Sequence, residues 1–205
     1  MKHLSETEKQ QLSQAINDIE KNTDGEFIAV IARESDDYLY IPILCAALIS
    51  MLVSGVLVWA NTAESGAFIY SVQVIVFLGL TVLFRFPMLK LALIPREVKQ
   101  HRASRKAHEL FFLEGLHLTE GRHGIMLFVS VAEKYVEVIA DQGISGRVEQ
   151  AVWDNVVLRF SECLKQGRVY EGYRLAISEC GDVLARHCPA KNREKNEIPN
   201  HLIEL

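Results

Sequence analysis

Two stretches of this 205-residue chain contain no charged side chain, residues 41–60 and residues 67–84. A helix on the surface of a soluble fold keeps a polar face in water, so uncharged runs of this length argue against two core helices of a soluble protein. About 20 apolar residues are needed to cross roughly 30 Å of hydrocarbon, and one Asp, Lys or Arg at the centre would cost about 2.5–3.5 kcal/mol. The pair reads as a transmembrane hairpin within residues 39–86, with spans at about 40–60 and 67–86. Ala46, Ser50 and Ser54 recur at every fourth position and predict a small-residue seam for close helix packing, to which Gly55 and Gly79 add.

Cysteine is scarce, with four residues, no C-x-x-C pair and no disulfide-framework spacing. The four are expected to be reduced, mostly buried thiols. The chain also has no H-E-x-x-H, G-x-S-x-G or P-loop pattern, so the common zinc-protease, serine-hydrolase and nucleotide-phosphate chemistries have no sequence support. Residues 1–21 are polar and charged, so no cleavable signal peptide is expected there.

Positive charge is missing between the two apolar runs, at residues 61–66, and crowded after them: Arg85, Lys90, Arg96, Lys99, Arg102, Arg105 and Lys106. The positive-inside rule places that side in the cytoplasm, and a hairpin returns the chain to the side it left. The expectation is a multi-pass protein of the cell inner (cytoplasmic) membrane with its soluble mass in the cytoplasm. The seven basic residues predict a lipid-headgroup surface, at roughly 1 kcal/mol per Lys or Arg. The net charge is −4 and the rest of the soluble mass is acidic, which excludes a nucleic-acid partner as the reading of choice.

The soluble segments carry mixed periodicities. Ser5 to Glu8 is a capping box ahead of Leu12, Ala15, Ile16 and Ile19, which predicts a helix. Residues 27–32 are a short apolar run suited to a strand covered on both faces. These two elements, within 1–37, are too small to fold alone and must be completed beyond the hairpin. A basic juxtamembrane stretch at 87–101 comes next. A helix over 102–116 with apolar Ala103, Ala107, Leu110, Phe111 and Leu113 then precedes strands at 124–131 and 135–140. A helix over about 146–165 with Val148, Val152, Val156, Phe160 and Cys163 inward and a last helix over about 170–186 complete the domain, which spans 102–188. Residues 189–197 read as a polar linker and 198–205 as an apolar coda that docks on the domain, the two making a 189–205 tail. The predicted fold is α/β (α+β): a small mixed sheet of three to four strands with helices on both faces, interrupted after its first strand by the hairpin. Strands one and two are parallel and the third is antiparallel.

Three segments carry a family resemblance: Thr23-Asp24-Gly25-Glu26-Phe27, Gly121-Arg122-His123-Gly124-Ile125, and the run from Tyr135 to Ile144. With the two closing helices they resemble the TPM domain family, whose members include a thylakoid-lumen acid phosphatase, a photosystem II repair protein and an auxiliary subunit of acetylcholine receptors. The inserted hairpin and the ending at 196–205 resemble a bacterial subgroup of it. The resemblance implies phosphatase activity on phosphomonoesters and metal binding by acidic loops. Those loop positions are Arg122 and His123 here, and Asp141 stands where Gly-Tyr-Gly is common, so neither property is carried over. No metal, cofactor or catalytic residue is assigned. The expected function is a non-catalytic membrane-anchored adaptor in the assembly or maintenance of a membrane protein complex, with phosphatase-like hydrolysis as the alternative. Parallel pairing of the first two strands would bring Asp24, Glu26, Arg122, His123 and Asp141 to one end of the sheet, either as an Asp141–Arg122 ion pair that pins the end of the strand hairpin or as a candidate binding edge in which His123 makes recognition depend on pH.

Overall fold

The computed structural model describes residues 4–60, 65–190, 198 and 202–205. Within them the chain forms two units, one from the residues up to Ser35 together with those from Gln100 onward, the other from Asp36–Lys99.

The first unit is built around a buried strand. Helix α1 (Glu6–Glu20) opens with the predicted capping box: the Ser5 side chain accepts from the Glu8 N–H, and the Glu8 carboxylate accepts from the Ser5 N–H at 2.7 Å. Strand β1 (Glu26–Ala32) follows the turn at residues 21–25. It pairs in parallel with β2 (Gly124–Ser130) through seven consecutive rungs, Glu26 opposite Gly124 to Ala32 opposite Ser130. β3 (Tyr135–Ala140) returns antiparallel to β2, and a three-residue β4 (Leu202–Glu204) joins the far side of β1 in parallel, giving the order β3-β2-β1-β4.

Alternation along β1 and β2 feeds two separate cores. Phe27, Ala29, Ile125, Leu127 and Val129 pack under α1, α7 (Gln150–Lys165) and α8 (Val169–His187). Ile28, Val30, Ala32, Met126 and Phe128 pack with Ala103, Ala107, Leu110 and Phe111 of α5 (Arg96–Leu113). Both faces are therefore covered, as the unbroken apolar runs required. Each fully buried Val, Leu, Ile or Phe contributes about 1.5–3 kcal/mol.

The second unit holds α2 (Tyr40–Trp59) and α3 (Gly66–Leu83), both long and apolar enough to cross a membrane, followed by the short α4 (Pro87–Leu93). α2 and α3 are in contact, and α2 buries Pro42, Ala46, Ser50 and Ser54, the small-residue seam with one residue added. α3 buries none of its side chains, and Leu44, Leu48, Met51, Leu52, Ile75 and Val82 are exposed. Open apolar surface of that extent marks a contact with a membrane or with another protein.

Several expectations change. Gly55 and Gly79 are not part of the seam, since a Cβ on either would meet nothing within 4 Å. α5 begins at Arg96 rather than residue 102, because its first turns hold a single apolar residue, Val98, and carry no periodic signal; Leu113, expected on the apolar face, is exposed. The helix expected from residue 146 is split into a single turn, α6 (Gln142–Ser145), and α7 starting at Gln150. The stripe keeps Val156, Phe160 and Cys163, but its first buried residue in α7 is Trp153 and Val152 is exposed. The coda supplies β4. The interhelical residues 61–64 and the linker residues 191–197 lie outside the described residues.

Because β1 is the central strand and comes from before the insertion, neither flanking segment should fold alone. A chain in which residues 36–99 are replaced by a short polar linker is expected to unfold in urea as one transition, whereas residues 100–205 alone give none. Phe27→Ala in the joined chain should cost about 3–5 kcal/mol by the same assay.

Candidate functional site

The amino ends of β1 and β2 and the carboxyl end of β3 meet at one end of the sheet. Glu26 N–H donates to the His123 carbonyl at 3.2 Å and Asp141 N–H to the Gly124 carbonyl at 2.9 Å. Asp24, Glu26, Arg122, His123 and Asp141 are thereby gathered at this end, as the parallel pairing predicted.

Their environments differ. Asp141 is the N-cap of α6, where its Oδ1 accepts from the Gln142 N–H at 2.7 Å. The same carboxylate receives a two-pronged contact from Arg122, Nε to Oδ2 at 2.8 Å and Nη2 to Oδ1 at 3.0 Å. The Asp141 side chain is 4% exposed and that of Arg122 is 49% exposed. The carboxylate is fixed from within, and its hydrogen bond followed by its charge raises the Arg122 guanidinium above the usual arginine range. Arg122 itself sits at φ 59°, a strained value for a residue with a side chain.

His123 is held by glycine on two sides. A Cβ at Gly121 would lie 2.7 Å from the ring's Cε1, and one at Gly143 would lie 2.7 Å from its Cδ2 and 2.3 Å from the Gly121 carbonyl. Gly143 thus permits α6 to approach the backbone of residues 121–122.

The turn before β1 is tied to the end of α8. Thr23 Oγ1 donates to the Cys188 carbonyl at 2.5 Å and accepts from the Gly25 N–H at 3.0 Å, while Asp24 N–H donates to that same carbonyl at 3.0 Å. Buried Glu26 follows directly on the strand. Glu20, also buried, accepts from the Phe27 N–H through Oε1 at 2.9 Å and so satisfies an outward-facing donor of β1 that no strand reaches. The sequence assigns no site role to Glu20, Thr23, Gly121 or Gly143; Thr23, Gly121 and Gly143 fall within the segments of family resemblance, whereas Glu20 carries no signal.

The predicted basic residues are spread along the chain after α3. Arg85 follows α3, Lys90 lies in α4, and Arg96, Lys99, Arg102, Arg105 and Lys106 lie in α5. At about 100° per residue, Lys99, Arg102, Arg105 and Lys106 occupy roughly 120° of arc on one flank of that helix. Among the described residues no three His, Cys, Asp or Glu side chains are grouped so as to hold a metal ion. Cys163, Cys180 and Cys188 are buried free thiols, and burial pushes the ionisation of Cys180 and Cys188 upward.

The ion pair and the glycine contacts are expected to separate in stability. Arg122→Ala should cost under about 1 kcal/mol, the range of half-exposed pairs. Asp141→Ala also removes the cap and should cost about 1–2 kcal/mol. Gly143→Ala, which drives a methyl into backbone, should cost about 1–3 kcal/mol. Urea unfolding checks all three, and an Arg122→Ala cost equal to that of Asp141→Ala would make Arg122 a structural anchor.

The comparisons with known proteins bear on this architecture. No curated protein matches the chain. Among solved structures, the NMR structure of BA42 protein from the psychrophilic bacterium Bizionia argentinensis matches with a TM-score of 0.62 at 19% identity, covering 99% of this chain and 96% of that one. At that identity the likeness is one of fold. The model of the TPM domain matches residues 92–183, which take in α5, β2, β3, α6, α7 and most of α8. Residues 92–183 are thus similar to the TPM domain, and the sheet to which they contribute is completed by a strand from before the insertion.

Proposed function

We propose that this protein is a non-catalytic, membrane-anchored adaptor: α2 and α3 span the cell inner membrane, the TPM-fold unit lies in the cytoplasm, and the amino end of its sheet recognises a membrane protein partner. The observation that carries this reading is the position of the insertion. The two-helix unit leaves the domain after its central strand and re-enters through α5, so the domain is covalently held at both ends of its anchor. The basic flank of α5 suits anionic headgroups.

What the polar end offers supports recognition over hydrolysis. Asp141 directs both oxygens to Arg122 and the α6 cap, so that carboxylate is engaged in fixed contacts rather than set as a general base. Arg122 still presents half its surface in a fixed direction, a preorganised contact for a carboxylate or carbonyl of a partner. The buried thiols with raised ionisation are poor nucleophiles.

Four measurements test this. A periplasmic reporter fused within residues 61–66 should be active and one at the C-terminus silent; the reverse pattern overturns the orientation. A photo-crosslinking residue at position 122 or 123 should capture one membrane protein that a control at Arg159, on α7, does not. Purified full-length chain should leave a general phosphomonoester unhydrolysed from pH 5 to 9, with and without divalent cations, and turnover lost in Asp141→Asn would establish the hydrolase reading instead. In the same preparation Cys180 and Cys188 should react with a thiol reagent at pH 8 only as fast as the domain unfolds.

A further inference from the structure

β1 is covered unequally on its two sides. Toward β2 it has seven rungs, whereas toward β4 it has three, Ala29 with Leu202, Val30 with Ile203 and Ile31 with Glu204. Two further bonds extend that ladder, Leu205 N–H to the Ile31 carbonyl at 3.0 Å and Arg33 N–H to the Leu205 carbonyl at 2.8 Å. The first outward donor, Phe27 N–H, is satisfied by Glu20 instead, so the stretch open to a strand begins at Ala29.

The resident tail defines what that stretch selects. Leu202 packs on the α1/α8 core and Ile203 on the α5 core, so successive side chains enter opposite faces. Glu204 pairs with Lys9 of α1 at 3.0 Å. The fit is incomplete. Leu202 and Ile203 are only partly buried, and Leu205 is half exposed. Close by, Tyr173 of α8 is fully buried with its hydroxyl lacking any hydrogen-bond partner among the described residues. Burial raises the ionisation of that hydroxyl, and the nearby Glu204 carboxylate raises it further. A buried hydroxyl left in this state opposes the closed arrangement, and it would be relieved if the tail gave way to water or to a segment with a polar group at that position.

We propose that the β1 edge from Ala29 to Arg33 is a strand-addition site for an extended segment of a partner protein carrying two aliphatic residues followed by an acid, and that the chain's own Leu202–Glu204 strand occupies it as a displaceable substitute. Main-chain pairing supplies affinity in such a site, the two cores read the aliphatic pair, and Lys9 reads the acid. This goes beyond the adaptor reading and does not depend on the Arg122 end of the sheet or on membrane sidedness.

The test uses the full chain in detergent with a fluorescent peptide of the sequence of residues 198–205. Ile203→Asp in the chain should unseat the tail and raise peptide affinity on the order of 10-fold over the wild type, the effect of removing an intramolecular competitor. A peptide with Asp in place of its own isoleucine at position 203 should bind neither. Equal, weak binding by both chains overturns the proposal. Hydrogen exchange on the wild type decides the matter even if the variant unfolds. If the tail opens locally, the outward amides of Ile31 and Arg33 exchange on the order of 100-fold faster than the inward amides of Ile28 and Val30. Equal protection means that the tail leaves only with global unfolding, which overturns the proposal. Peptide binding that falls as chain concentration rises, with dimers seen by light scattering, assigns the edge to the tail of a second copy and overturns the partner assignment.

Discussion

Everything in the domain depends on the parallel pairing of β1 with β2. The two strands bury both of their faces, and each face supplies half of a separate core, so the sheet exists only if these seven rungs form. The strands come from opposite sides of the insertion. Parallel pairing already demands a long connection, and here the connection includes a whole second unit. Loop-closure entropy grows only slowly with length, and α2 and α3, being in contact with each other, return the chain before α5 begins. The insertion is therefore tolerated where a structureless loop of equal length would be unusual.

The two ends of the sheet are finished in different ways. At the carboxyl end, buried Glu133 bonds to the Ser130 hydroxyl and accepts from the Ser35 N–H through Oε1 at 3.0 Å, and Ser35 Oγ donates to Ser130 Oγ at 2.7 Å. This latch fixes the chain where it leaves β1 for the second unit. At the amino end Glu26 and Asp141 are buried and one arginine stands half in water. The carboxyl end is closed by short side chains bonded to one another, while the amino end keeps a directed charge available.

The sequence was most legible where one principle acted alone. The capping box at Ser5 and Glu8, the uncharged runs and the continuous apolar strands each have a single physical cause, and each was found near its predicted place. Topology followed from connection lengths, and it brought Asp24, Glu26, Arg122, His123 and Asp141 together. Legibility failed where tertiary context decides. The polar start of α5 has no periodicity to read, and Val152 and Trp153, four and three residues before Val156, both suit the buried face of α7, so only packing decides that Trp153 is the one buried. Nor could a lone sequence reveal that Glu20 turns inward to bond Phe27, since a glutamate ending a helix is ordinarily a solvated one.

Glu20 and β4 together answer a problem that the insertion creates. A central strand buried on both faces leaves its outer edge as a row of unpaired donors and acceptors, a template for association with other chains. A longer native strand there would cover that edge but would have to displace Glu20, whose buried carboxylate would then lose the Phe27 N–H bond. A bare edge would expose apolar β1 to any extended segment. The arrangement found lies between these, with one carboxylate for the first donor and a short charged-tipped strand for the rest. Pairing on that side is shorter than between β1 and β2, where rung follows rung without interruption. The β4 side of β1 is therefore the side on which the fewest main-chain bonds hold the strand.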